Sequence, residues 1–254
     1  MKVLLIQGWL GRREKPIFPL GLCYVASALT SHEIRAVDPN VLEQPMEDLR
    51  REIEHFGPDV IGVSLRNVDT TQYRDPFVYF PAFLETVRTC KSAAPDTPVA
   101  VGGPGFSIFA EEIMARVSDI DFGVYLEGEE SFPELLQHIS SPGDVKGIYY
   151  REDAGVKFSG PRNAPGFANS GAPRRDFFPM EPYLNLPDSI GIQSKRGCAL
   201  TCAYCTYPFL NGANVRTRPP EQVVDEVESL VANYGVKQFT FTDSVLGSAE
   251  KYIG

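Results

Sequence analysis

The chain has 254 residues, 43% of them apolar, and a formal net charge of −9 with a pI near 4.9. It is long enough for one large or two ordinary domains, and its acidity argues against a nucleic-acid or anionic-membrane partner, whose phosphates need a basic face. Met1–Ile6 is too short an apolar opening for a signal peptide, and no run of about 18 apolar residues occurs anywhere. The expected setting is cytoplasmic, with no membrane, no nucleic acid and a small molecule or peptide as partner. Thiols stay reduced there, so clustered cysteines among the five present point to metal rather than disulfides.

Residues 1–140 alternate strand-like and helix-like segments, the pattern of a parallel sheet covered by helices. Val3–Ile6 reads as a buried strand, and Pro19–Leu29 as a helix with Leu22, Val25, Ala26 and Leu29 on one face. A strand at Ile34–Val37, a helix at Met46–Phe56 and a strand at Val60–Leu65 follow. The next pairs are a helix at 82–93 with a strand at Val99–Val101, and a helix at 109–117 with a strand at Phe122–Leu126. Phe132, Leu135, Leu136 and Ile139 give the last helix its apolar stripe, while Cys23 and Cys90 fall on apolar helix faces as core residues. Five βα units predict an α/β, flavodoxin-like (Rossmann-like) domain.

Ligands of such sheets sit outside the carboxyl ends of the strands. Those ends carry Gly8 and Trp9; Ser64, Leu65, Arg66 and Asn67; Gly102, Gly103 and Pro104; and Glu127 and Gly128. Glycine pairs let a backbone approach a flat ligand closely. The stretch Gly103-Pro-Gly105-Phe-Ser-Ile108 lacks the third glycine of a dinucleotide fingerprint and follows the fourth strand rather than the first, so bound NAD is not expected. An aromatic loop at 70–81 with Tyr73, Phe77, Tyr79 and Phe80 lies at the same edge, as a cover for the site or as loop packing.

Residues 141–188, rich in Gly, Pro, Ser and Asn, read as a surface connector with a small hairpin from Gly147–Tyr150 and Gly155–Phe158, anchored through Phe177 and Phe178. A second domain starts at 189. Ile190–Ile192 is a strand, and Pro219–Pro220 opens a helix with Val223, Val224, Val227, Leu230, Val231 and Tyr234 on one face and Glu221, Asp225, Glu226 and Glu228 towards solvent. Gln238–Thr242 alternates as a strand ending in Asp243 and Ser244. Strand, loop, helix and strand open a β/α barrel.

Between that first strand and helix stand Cys198, Cys202 and Cys205, spaced C-x3-C-x2-C. Zinc would need a fourth Cys or His, and His32, His55 and His138 all lie in the first half. A Cys202–Cys205 redox pair would leave Cys198 without a role. Three thiolates suit an iron-sulfur cluster with one iron open to another molecule.

This motif, with Tyr204 before its last cysteine, resembles the signature of radical S-adenosylmethionine (SAM) enzymes. The resemblance implies a 4Fe-4S cluster on the three cysteines, S-adenosyl-L-methionine on the open iron with its amino group near Asp243 or Ser244, and an electron donor such as flavodoxin or ferredoxin. Pro19–Leu22, Ile61–Asn67, Val101–Gly103 and Glu127–Ser131 resemble the cobalamin-binding domain that precedes the barrel in one large class of these enzymes. That implies cobalamin at Gly8, Trp9, Ser64 to Asn67, Gly102 to Pro104, Glu127 and Gly128. No Asp-x-His-x-x-Gly stretch is present, so the lower cobalt face is expected to lack a histidine, with Arg66 beside it. A surface pairing of Arg66 with Asp69 or Asp75 is the plain alternative. The implied activity is a methyltransferase that moves a methyl group from SAM by way of cobalamin to a carbon of a small-molecule or peptide substrate. Cyclisation or rearrangement on the same architecture, a barrel whose first domain binds no corrin, and a non-catalytic cobalamin-binding module are the alternatives. Only 66 residues follow Asp188, against ~250 in a full barrel, so the chain is expected to be the front part of a longer enzyme.

Overall fold

The computed structural model describes every residue except Thr71, Ala154, Pro165, 168–170 and 247–254. The turn residue Ala154 of the expected hairpin, Asn169 and Ser170 of the connector, Thr71 of the aromatic loop and the end of the second domain therefore lie outside the described residues.

The first half is built as the two periodicities dictate. The strands β1 (Lys2–Gln7), β2 (Glu33–Val37), β3 (Val60–Ser64), β4 (Val99–Gly102) and β5 (Phe122–Val124) pair in parallel in the order β2-β1-β3-β4-β5. In β1, Val3 and Leu5 enter one core and Leu4 and Ile6 the other, because successive strand residues face opposite ways. The helices α1 (Leu20–Ala28) and α6 (Gly128–Gln137) cover the first face. The other is covered by α2 (Pro45–Phe56), α3 (Phe80–Ala93) and α5 (Ala110–Arg116). In α2 the spacing of Leu49, Ile53 and Phe56 makes one buried stripe, with Glu47 and Asp48 in the first turn, where the helix dipole favours them.

Three features depart from the sequence expectation. A short helix, α4 (Pro104–Ile108), starts where only a glycine turn and a later helix were expected. The hairpin forms as β6 (Ile148–Glu152) and β7 (Gly155–Phe158), but β6 pairs antiparallel with β5 and extends the main sheet to seven strands. The connector is also not a surface strap. Phe167, Phe178, Met180 and Tyr183 are buried, with Phe178 and Tyr183 edge-on to Phe18 at 6.2 and 5.2 Å. Tyr183 donates to Asp38 at 2.5 Å, and burial raises that carboxyl's pKa against the pull of the Tyr183 and Asn40 bonds.

The second half begins with β8 (Gly191–Ile192) and β9 (Lys195–Arg196). After the cysteine loop come α7 (Tyr207–Asn211), β10 (Arg216–Thr217), α8 (Pro220–Tyr234) and β11 (Thr240–Phe241). β8 and β11 are parallel, with Gly191 opposite Thr240, so β8, α8 and β11 form one strand–helix–strand unit of the kind that builds a β/α barrel. Ile190, Ile192, Val223 and Leu230 join the same core cluster as α1 and α6, so the two halves share one apolar interior.

Glu226 corrects the expected solvent face of α8. It is 6% exposed, while Val224 and Val231, expected on the buried face, are 54% and 53% exposed. Its carboxylate accepts from Arg175 Nη2 at 2.5 Å through Oε1 and from Arg218 Nη1 at 2.5 Å through Oε2. Arg218 also reaches Tyr24 Oη of α1 at 3.1 Å. Two buried cations draw the acid inward and rotate the helix.

Candidate functional site

The register of the sheet sets Gln7 opposite Ser64 and Ser64 opposite Gly102, so three strands end level at the switch point between β1 and β3. Above them lies a cavity of ≈ 860 Å³, near the upper end for small-molecule sites. Its floor is the sheet edge, with Ser64, Arg66, Asn67, Gly102, Gly103, Pro104, Glu127 and Gly128. Its opposite wall comes from the second half, with Gln193, Arg196, Thr206, Tyr207, Leu210 and Asp243. Gly103 has φ +95°, and a Cβ there would meet Leu65 O at 2.7 Å and Ser64 Oγ at 2.9 Å. Only glycine lets the chain after β4 pass so close to β3 and keep the floor open.

Arg66 stands half-buried on this floor, and its guanidinium has no hydrogen bond or ion pair among the described residues. Asp75 is bound to Arg13 instead, which removes one surface partner considered for Arg66. Burial lowers the pKa of Arg66, while Tyr79, Tyr207 and Glu14 pull it back up. A desolvated cation facing a large cavity is a group with donors to spare.

The three motif cysteines sit on the loop between β9 and α7, and all five cysteines are free thiols. Cys198 is buried and donates its N–H to Gly212 O at 3.1 Å; the Cys205 N–H closes a turn on Cys202 O at 3.1 Å. Gly197, at φ +92°, lies so near Asn214 that a Cβ would fall 2.1 Å from its carbonyl oxygen, which fixes where the loop departs. Among the described residues no three Cys, His, Asp or Glu side chains are gathered closely enough to hold a metal ion. The fit to an iron-sulfur cluster therefore lies in the donor chemistry: three soft sulfurs on one irregular loop, two of them partly or fully open.

Two sets of bonds hold that loop. Asp243, at the end of β11, accepts from the Ser194 N–H at 2.8 Å, the Lys195 N–H at 3.2 Å and the Ser194 hydroxyl. It ties the second barrel strand to the start of the loop. Glu127, directly before α6, accepts from Arg196 Nη1 at 2.9 Å and from both terminal nitrogens of Arg216, while Glu129 pairs with Arg196 at 2.6 Å. Burial works against the charge of Arg196, but Glu129 and Glu127 outweigh it and hold its pKa above the usual value. Its guanidinium also stacks over Phe167 at 4.4 Å and Tyr24 at 5.0 Å.

Several expected site residues lie elsewhere. Gly8 packs on Phe83 and Ser64 O, Trp9 donates its N–H to Thr86, and Leu65 is in the core, because strand alternation sends it behind the edge. None of these three lines the cavity, nor does the half-buried Ser244 or Tyr204, which is 89% exposed. Val68 and Asp69, just before the aromatic loop, line the cavity, while Tyr73, Phe77, Tyr79 and Phe80 do not. Phe77 meets Tyr79 edge-on at 5.6 Å and Phe80 stacks on Phe83 at 5.9 Å, so these three serve loop packing, while Tyr73 is 98% exposed. Conversely, sequence reasoning missed Arg196, Thr206 and Tyr207 on the far wall. Their signal was proximity to the cysteines, and their direction depends on a β9–β10 ladder of two residues per strand.

The B12 binding domain model matches residues 7–136. The chain is 28% identical over 234 residues to an uncharacterised methyltransferase of Pyrococcus horikoshii, covering 89% of this chain and 48% of that protein. It is 26% identical over 221 residues to hopanoid C-3 methylase of Methylococcus capsulatus, covering 84% and 40%. Its structure superposes on the radical S-adenosylmethionine methyltransferase TsrM of Kitasatospora setae, solved with tryptophan substrate and a SAM analogue. The TM-score is 0.82 at 25% identity, covering 96% of this chain and 47% of that one. The chain thus spans about half the length of the relatives it matches. Its fold is a flavodoxin-like domain followed by the first part of a radical SAM β/α barrel. The chain belongs to the B12-binding-domain family, in the class whose members carry a radical SAM barrel behind that domain.

Proposed function

We propose that this chain is the cofactor-bearing half of a cobalamin-dependent radical SAM methyltransferase acting on a carbon of a small molecule or peptide. The observation that carries the reading is the single cavity with the B12-domain edge as its floor and the helix that follows Cys205 in its wall. When bound, the cofactors supply a methyl carrier on one side and a one-electron source on the other. The chain's residues do the rest. Cys198, Cys202 and Cys205 are the ligands for a 4Fe-4S cluster, and Ser64, Arg66, Asn67, Gly102, Gly103 and Pro104 bed the corrin. Asp243 is the candidate for the SAM amino group: a carboxylate offers about four acceptor positions, and three are taken by Ser194 and Lys195. The five free thiols accord with a reducing, cytoplasmic setting and a flavodoxin- or ferredoxin-like electron donor. No helix among the described residues is long and apolar enough to cross a membrane.

Arg66 supports the corrin assignment and tests it. A guanidinium is a poor cobalt ligand but a permanent cation, so beneath a corrin it would hold donors towards the metal without binding it. Arg66→Ala is expected to shift the visible spectrum of hydroxocobalamin added to the anaerobically purified chain. An unshifted spectrum with undiminished binding removes Arg66 from the site. The methyltransferase reading is checked by S-adenosylhomocysteine release from SAM when reduced cobalamin is supplied; corrin binding without that release would favour a carrier module.

A further inference from the structure

We infer that Glu127 is a positioning residue, a clasp from the B12-binding domain that fixes the cysteine loop in place over the corrin floor. The inference rests on the reading of Cys198, Cys202 and Cys205 as cluster ligands. Its physical basis is the placement of both arginines. Arg196 lies two positions before Cys198, and Arg216 stands directly opposite it in the β9–β10 ladder that closes the base of the loop. One carboxylate thus holds both strands of that base, while Glu127 itself stands between β5 and α6 at the cavity edge. The side chains are 10% exposed at Glu127, 6% at Arg196 and 15% at Arg216, so each bond acts without much screening by water.

Replacing a buried ion cluster of this kind with apolar groups often leaves stability unchanged or raises it. Its use is better sought in geometry. Arg216 Nη2 also donates to Asn211 O at 2.7 Å, at the end of α7, so the clasp reaches the helix that follows Cys205 as well as the strand that precedes Cys198. Moving the carboxylate would shift the loop at both ends relative to the sheet edge.

The test compares hydrogen exchange over residues 195–217 and the visible circular dichroism of the anaerobically reconstituted cluster in the full chain and in Glu127→Gln. Exchange of those amides is expected to speed up about tenfold, with the cluster's dichroic bands altered and the thermal midpoint of the chain retained. Arg216→Lys, which keeps the charge but loses the fork, is expected to give the same pattern more weakly and serves if Glu127→Gln does not fold. Unchanged exchange overturns the clasp; faster exchange with unaltered bands makes it a structural contact and overturns the positioning role. If the unaltered chain takes up no iron, the cluster reading fails on its own, and exchange over 195–217 in the iron-free chain still decides whether Glu127 holds the loop.

Discussion

Changing any one of Cys198, Cys202 or Cys205 to Ala is expected to abolish stable cluster uptake and to lower SAM-dependent methyl transfer by more than about a hundredfold. Loss of an outer-shell partner alone costs 10 to 100-fold at metal sites. Three sulfurs are the fewest that hold a cluster and leave one iron free, so no ligand is redundant. The contrast with Cys23 and Cys90 makes the result informative. Those thiols are buried, and desolvation pushes both up to about 12, which keeps them protonated and inert. Cys23→Ala and Cys90→Ala are expected to cost some packing and leave iron content per folded chain unchanged. Iron analysis after desalting checks both halves. Equal loss from a core cysteine and a loop cysteine would contradict the assignment.

The largest stability effect is expected at Glu226. Its carboxylate bonds both Arg175 and Arg218, and both guanidinia are 5% exposed or less. Glu226→Gln removes the carboxylate charge that meets both buried cations, a loss of roughly 3–5 kcal/mol. The three side chains join the connector, α8 and, through Tyr24, the first domain, so the midpoint of urea unfolding should fall for the chain as a whole. Replacing Arg175, Glu226 and Arg218 together with apolar residues of similar volume is expected to cost less than Glu226→Gln, because no charge is then stranded. If the single variant unfolds at the same urea concentration as the parent chain, the triad is not the tie between the halves.

What the residues disclosed in advance followed from local physics. Period-two burial in β1 and the Leu49, Ile53, Phe56 stripe of α2 are set by backbone geometry, so the five parallel strands and their edge were legible. So was the donor set of the loop, because spacing and softness are properties of the sequence. The opacity began where non-local charge decides orientation. Glu226 lies among Asp225 and Glu228 and looks like part of a solvated face; its partner Arg175 is 51 residues away. Glu127 and Gly128 were singled out for a ligand, yet the Glu127 carboxylate is already committed to Arg196 and Arg216, 69 and 89 residues on. Strands of two residues such as β9 and β10 carry no periodicity, so the ladder that aims the loop had no signature. Trp9 and Leu65 were misplaced for a third reason. Being next to a strand end does not fix the direction of a side chain, and alternation turned Leu65 inward.

The central claim is that one cavity takes a corrin from the sheet edge and a cluster from the loop. The direct measurement is iron and cobalt per chain on a single sample, reconstituted anaerobically with iron, sulfide and hydroxocobalamin and then desalted. About four irons and one cobalt per chain are expected. Iron that survives loss of the three loop cysteines, zinc in its place, or a sample without cobalt would contradict the account.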